Sequence, residues 1–309
     1  MVERIVDIAT DGRHLAALRG FLTVSEQKSE IGRIPLDDIT AVIVHAHGTT
    51  YSNNLLVALA ARNVPLVICA SNHAPVSCVM PLSGHHLQGA RMRAQWTAPK
   101  PLFKQAWRSV VIAKIKMQGA VAGAAGGNSE AFDMLARSVR SGDPENIEAQ
   151  AARRYWPLIM GRDFRRDSDG GGTNSLLNYG YTILRSAMAR SIVASGLHPT
   201  IGIYHSNRAN SFALADDLME PFRPLVDQTV RSMIARGEAE VTSETKAELA
   251  RLIALDLPLG DERSPVTIAM QRLSQSFARS CEVGTLSLTL PQPLSPLELA
   301  GLGVEPELA

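Results

Sequence analysis

The chain has 309 residues, 45% hydrophobic and 20% charged, with a formal net charge of +1, which excludes disorder over the whole length. No apolar run reaches the ~18 residues of a membrane span, and Glu3, Arg4 and Asp7 charge the N-terminus, so neither a membrane anchor nor a secretory leader is expected. Cys69, Cys78 and Cys281 are an odd number without metal-ligand spacing, which argues against a disulfide framework and makes the cytoplasm the expected compartment.

The first eighty residues read as short strands. Glu3–Ile8 alternates polar and apolar, Asp11-Gly12 has the composition of a hairpin turn, and His14–Leu18 and Phe21–Val24 follow closely. Glu30–Ile34 and Ala41–Val44 continue the pattern, and Val64–Cys69 is wholly apolar apart from its flanks. Ser52 caps a single helical run, Asn53–Arg62, and the strands are expected to be antiparallel.

After residue 80 the period becomes that of a helix. Leu102, Ala106, Val110, Ala113 and Met117 recur at helical spacing over Leu102–Val121, with Lys104, Arg108, Lys114 and Lys116 on or beside the other face. Helices are predicted over Ser129–Ser141, Pro144–Met160 (broken near Pro157), Asn174–Ser195, Asn207–Ala235, Ser243–Leu255 and Val266–Cys281. The fold class is therefore α+β: a β-rich N-terminal domain over 1–80, an α-helical domain over 81–285, and a flexible Pro-containing tail over 286–309. Leu286-Ser287-Leu288-Thr289-Leu290 in that tail alternates well enough to serve instead as a strand added to a partner.

Charge is unevenly spread. Residues 39–129 hold eight bases and no acid, whereas residues 216–309 hold eight bases and fifteen acids. An acid-free basic stretch points to nucleic acid; the plainer alternative is packing against the acidic C-terminal third. Arg91, Arg93, Lys100, Lys104, Arg108, Lys114 and Lys116 are its candidate phosphate contacts.

Three segments have the composition of a site. Ser168–Asn174 is Gly-rich before a helix, but it lacks the Lys of a phosphate loop and follows no strand, so it reads as a flexible loop. His45-Ala46-His47 places two imidazoles on one strand face without a third ligand nearby. The third runs from Tyr204-His205 to Asp216-Asp217-Leu218-Met219-Glu220-Pro221-Phe222-Arg223-Pro224. On a helix, Asp216, Asp217 and Glu220 would share a face without an intervening base, an arrangement that a divalent cation would relieve. His205 would add a nitrogen, and mixed carboxylate and imidazole ligation suits Mn²⁺ and tolerates Mg²⁺. A solvated acidic face fits the same residues.

His205 together with Asp217–Pro224 resembles the signature of the CRISPR-associated integrase family that acquires new spacers ("Cas-one"). Asn174–Arg185 and the segment Asn146–Trp156 around Glu148 are similar to that family too, and the likeness runs to about residue 285, most like the type II version. The resemblance implies that Glu148, His205 and Glu220 hold Mg²⁺ or Mn²⁺, with Asp217 a nearby second carboxylate. It also implies a metal-dependent DNA endonuclease and integrase that joins the 3′-hydroxyls of captured DNA into the repeat array. The implied partners are double-stranded and branched DNA, a second copy in a homodimer, and the small "Cas-two" protein. Two other readings compete: a non-catalytic DNA-binding scaffold and a general branched-DNA nuclease.

Overall fold

The computed structural model describes residues 4–70, 75–205 and 210–302. The N-terminal strands are β1 (Arg4–Ile8), β2 (Arg13–Leu18), β3 (Phe21–Glu26), β4 (Ser29–Pro35), β5 (Ile39–Val44) and β6 (Thr50–Tyr51). Helix α1 (Asn53–Ala60), β7 (Leu66–Cys69) and β8 (Pro75–Val79) follow. They form two four-stranded sheets, β4-β3-β2-β6 and β1-β5-β7-β8. The antiparallel expectation holds for the first sheet apart from the β2–β6 pair, but in the second β1, β5 and β7 run parallel. Every residue of β5 (ITAVIV) is buried, the mark of a strand covered on both faces, and α1 supplies the crossover that a parallel neighbour needs.

Asp11-Gly12 joins strands of different sheets, so it is not a hairpin turn. The hairpins lie instead at Arg19-Gly20 and Gln27-Lys28, all four with positive φ. Ser52 caps α1 as expected, its side chain accepting from Leu55 N.

Helices follow in order: α2 (Gln88–Thr97), α3 (Lys100–Ala124), α4 (Glu130–Ser138), α5 (Ile147–Met160), α6 (Thr173–Ala194), α7 (Ala213–Leu218), a 3₁₀ turn at Glu220–Phe222, α8 (Arg223–Ala235) and α9 (Ser243–Arg251). A hairpin of β9 (Asp256–Leu259) and β10 (Glu262–Pro265) then leads into α10 (Val266–Val283) and α11 (Pro296–Ala300). Helix α6 is the axis of the core, buried on nearly all sides. At Gly180 a Cβ would lie 2.4 Å from Val226 Cγ1, so only glycine lets α8 pack this close. Ile43, Val67 and Cys69 join the helical core, which seats the parallel sheet against it.

Several element boundaries differ from the sequence reading. Pro157 lies inside α5 without breaking it. The single helix expected over Asn207–Ala235 is divided into α7, the 3₁₀ turn and α8, because Pro221 and Pro224 cannot continue the preceding hydrogen-bond ladder; residues 207–209 lie outside the described residues. The Gly-rich loop is tied down by α6. Asn178 Nδ2 donates to Ser168 O at 2.7 Å, and Asn174 Oδ1 accepts from Asp167 N and Arg166 Nη1, both at 3.0 Å.

The expected flexible tail is packed over residues 286–302. Ser287 N and Thr289 N donate to Ser280 Oγ and Ser276 Oγ, both at 2.9 Å. Leu294, Leu299 and Leu302 are buried, and Leu286, Leu288 and Leu290 lie against the core. The leucine face offered for strand addition is thus already partly covered by this chain. Residues 303–309 lie outside the described residues. Among those described, no helix is long and apolar enough to cross a membrane.

Candidate active site

Glu148 occupies the first turn of α5. Asp143 caps that turn, its Oδ1 and Oδ2 accepting from Ile147 N at 2.8 Å and Glu148 N at 3.0 Å, while Asn146, in the left-handed region, accepts from Ala149 N. With these donors satisfied the start of α5 is fixed, and so is the origin of the Glu148 side chain.

Glu220 comes from the 3₁₀ turn and is 4% exposed. Its carboxylate and that of Glu148 converge on one atom: Lys114 Nζ of α3 lies 2.5 Å from Glu148 Oε1 and 2.6 Å from Glu220 Oε2. Arg223, at the start of α8, reaches Glu220 Oε1 at 3.2 Å and lies over the Tyr181 ring. Burial by itself would raise the Glu220 pKa, but Arg223 and Lys114 outweigh it and hold the carboxyl below its ordinary range. For Lys114 burial works towards a lower value, and Glu220 with Glu148 overcomes it, leaving the ammonium raised.

His205 depends on Asp217. This fully buried carboxylate accepts from Ile203 N at 2.6 Å, Tyr204 N at 2.9 Å and His205 N at 3.3 Å, and also meets His205 Nδ1 at 2.5 Å. Gly202 makes the approach possible, since a Cβ there would lie 3.0 Å from Asp217 Oδ2. With Nδ1 donating to Asp217, the imidazole lone pair is on Nε2. The hydrogen bond that His205 donates to Asp217 raises the His205 pKa; burial opposes it, and the charges of Asp217, Glu220 and Asp216 add to the rise. Trp107 and Tyr204 stack at 4.3 Å beside the ring, and each meets His205 edge-on at 5.7 Å.

The three carboxylates expected to share one uncompensated helix face are thus divided among separate partners. Asp216 is bound by Arg185 Nε at 2.6 Å and Asn210 Nδ2 at 2.8 Å, Asp217 by the 203–205 loop, and Glu220 by Lys114 and Arg223. Glu220 stands on the 3₁₀ turn that follows α7, whereas Asp216 and Asp217 belong to α7 itself.

Among the described residues no three His, Cys, Asp or Glu groups stand together at metal-ligating spacing. Glu148 and Glu220 meet on Lys114; His205 feels the charge of Glu220 but faces Asp217 through Nδ1. The donor set nonetheless suits a divalent cation: two carboxylates already converge on a positive charge in a buried place, and the His205 imidazole lies within charge range of Glu220. His45 and His47 form no such site, because His45 Nε2 turns inward to Asp7 Oδ1 at 3.1 Å while His47 is exposed.

Sequence reasoning missed the place of Lys114, taken there for a phosphate contact on the polar side of α3. It belongs to the buried stripe with Trp107, Val110, Val111, Gln118 and Val121, and a lysine at that spacing is a signal for a partnered buried charge. Two other expected phosphate contacts are engaged within the chain: Arg91 with Glu282 and Ser195 O, and Arg108 with Val139 O. Arg93, Lys100, Lys104 and Lys116 are exposed. Also unforeseen is Asp227, which burial raises to about 6 against the opposing hydrogen bonds of Tyr181 and Tyr155.

Comparison with known proteins agrees with this arrangement of elements. The family described as CRISPR associated protein Cas1 matches residues 6–252. The chain belongs to the Cas1 family. It is 34% identical over 274 residues to a CRISPR-associated endonuclease Cas1 of Neisseria meningitidis, covering 87% of this chain and 90% of that one. Two solved structures share the Cas1 fold. A casposase bound to integration product has a TM-score of 0.76 at 18% identity, over 94% and 93% of the two chains. A chain of a Cas6-RT-Cas1–Cas2 complex has a TM-score of 0.73 at 17% identity, over 93% of this chain and 36% of that one.

Proposed function

We propose that this Cas1-family chain is a metal-dependent DNA endonuclease and integrase of CRISPR adaptation, joining 3′-hydroxyl ends of captured DNA into the repeat array. The observation that carries the reading is the convergence of Glu148 and Glu220 on one buried cationic point beside an imidazole that Asp217 orients. Family membership, the endonuclease name of the Neisseria relative and the casposase with its integration product support it.

Glu148, Glu220 and His205 through Nε2 would hold Mg²⁺ or Mn²⁺. Such a cation, when bound, supplies charge stabilisation at the phosphodiester and activation of the attacking hydroxyl. In strand transfer the 3′-oxygen forms a bond to phosphorus as the bond to the leaving oxygen breaks; with water in place of the hydroxyl the same site cleaves. The chain's own part is to fix the carboxylates through the capped start of α5 and the 3₁₀ turn, and to hold the imidazole in one tautomer. Exposed Arg93, Lys100, Lys104 and Lys116 are suited to phosphate contacts that position DNA without reading its sequence.

The proposed assembly is a homodimer bridged to the small Cas2 partner on double-stranded or branched DNA, in line with the Cas1–Cas2 complex that shares this fold. Glu148→Ala, His205→Ala and Glu220→Ala are each expected to lower strand transfer about 100-fold or more, with DNA binding retained. Full activity of all three variants on a branched, repeat-containing DNA with Mn²⁺ would contradict the reading; DNA binding without any joining by the native chain would favour a non-catalytic scaffold.

A further inference from the structure

We propose that Lys114 is a gate on the cation site: its ammonium stands where a divalent cation must bind, and loading requires its displacement, which anionic DNA promotes. The inference rests on the reading of Glu148 and Glu220 as cation ligands. It starts from position. The two carboxylate oxygens that meet Lys114 Nζ, at 2.5 and 2.6 Å, are the ones that face each other across the site, so the ammonium and a cation compete for the same acceptors.

Charge makes the competition matter. Glu148 and Glu220 are balanced by Lys114 and Arg223. Adding two positive charges with both bases in place would leave the buried cluster with an excess of two. Such an excess is costly where water is scarce, and the Lys114 side chain is only 10% exposed. Moving the ammonium away relieves the excess, and a phosphodiester at the site supplies it with a new partner.

The lysine is built for such a movement. Its stem starts from the middle of α3, a 25-residue helix whose flanking Val110, Val111, Ile115 and Gln118 are buried. The four-carbon chain can swing while the backbone stays fixed, and an ammonium, unlike a guanidinium, gives up one acceptor for another without a geometric fork to rebuild. Arg223 lacks that freedom because Glu220 and the Tyr181 ring hold it from two sides. Cation loading and DNA binding are then coupled, each tightening the other by the same factor.

The test is calorimetric titration of Mn²⁺ into the full chain, with and without a short branched DNA, without measuring turnover. Lys114→Met is expected to bind Mn²⁺ about tenfold tighter than the native chain in the absence of DNA, and to lose most of the tightening that DNA gives the native chain. A lysine that merely supports the fold would act in the opposite direction, since its loss loosens the pocket and weakens binding. Lys114→Gln, which keeps a polar head, is the second variant should the methionine form not fold, and the same tightening is expected. Glu148→Gln separates the two claims. If it loses Mn²⁺ binding while neither Lys114 variant gains any, the gate is overturned and the cation site stands. If it binds Mn²⁺ as the native chain does, the cation reading itself fails.

Discussion

Asp217 accepts three backbone N–H groups and the His205 ring on two oxygens, so the shape of the 203–205 loop and the direction of the imidazole have one cause. Asp217→Asn keeps the size but places an amide where one oxygen accepted, leaving a donor facing donors. The expected result is a 10- to 100-fold loss of strand transfer, about the usual effect of removing a residue that orients a metal-binding histidine. The His205 pKa should fall too, because the Asp217 hydrogen bond is the leading cause of its rise; NMR titration of the ring reads this directly. An unchanged histidine titration in the Asn variant would show that the orientation comes from elsewhere. Glu148, His205 and Glu220 could be singled out only through the family resemblance, and the meeting of Glu148 and Glu220 on Lys114 was not foreshadowed by their spacing. Asp217 was legible only as a neighbouring carboxylate, since the N–H groups it accepts from lie on a loop twelve to fourteen residues away.

At the scale of elements, long helices were readable: α3, α6 and α10 lie within a few residues of their predicted bounds. Pairing was not. Strands β1 and β5 meet across more than thirty residues of chain, and no local pattern specifies a parallel partner. The C-terminal segment shows the same limit. Its prolines and short leucine runs read as a loose end, yet its burial depends on hydroxyls of α10 and on α8, where Gln228 Nε2 donates to Leu299 O and Ser232 Oγ to Leu302 O. Truncation after Val283 removes the buried Leu294, Leu299 and Leu302, each contributing about 1.5–3 kcal/mol. A clear fall in the thermal midpoint is expected; an unchanged midpoint would show that the segment contributes nothing to the fold.

In the whole molecule, the N-terminal sheet is joined to the helices through a small charged cluster. Asp7 of β1 contacts Lys246 of α9 at 3.0 Å and His45 at 3.1 Å, and Lys246 lies over the Tyr179 ring of α6. Burial alone would raise the Asp7 pKa, but the His45 hydrogen bond and the Lys246 charge lower it on balance. A carboxyl lowered in the folded state stabilises it above the ordinary carboxylate range, and that contribution is lost as pH falls through the folded value. Asp7→Asn should therefore melt earlier than the native chain at pH 7, with the difference shrinking below about pH 4. A difference constant with pH would mean that the Asp7 charge does not link the two parts. Held by this cluster and by the parallel sheet, the helical core presents α3, α5, the 203–205 loop and the 3₁₀ turn around one point, and the central claim concerns what binds there. Anomalous diffraction at the manganese edge, from crystals of the chain with DNA and Mn²⁺, tests it most directly. The account predicts a manganese peak between the Glu148 and Glu220 carboxylates, facing His205 Nε2, with Lys114 moved off both; a peak elsewhere, or Lys114 still bridging the two carboxylates in the loaded crystal, would contradict it.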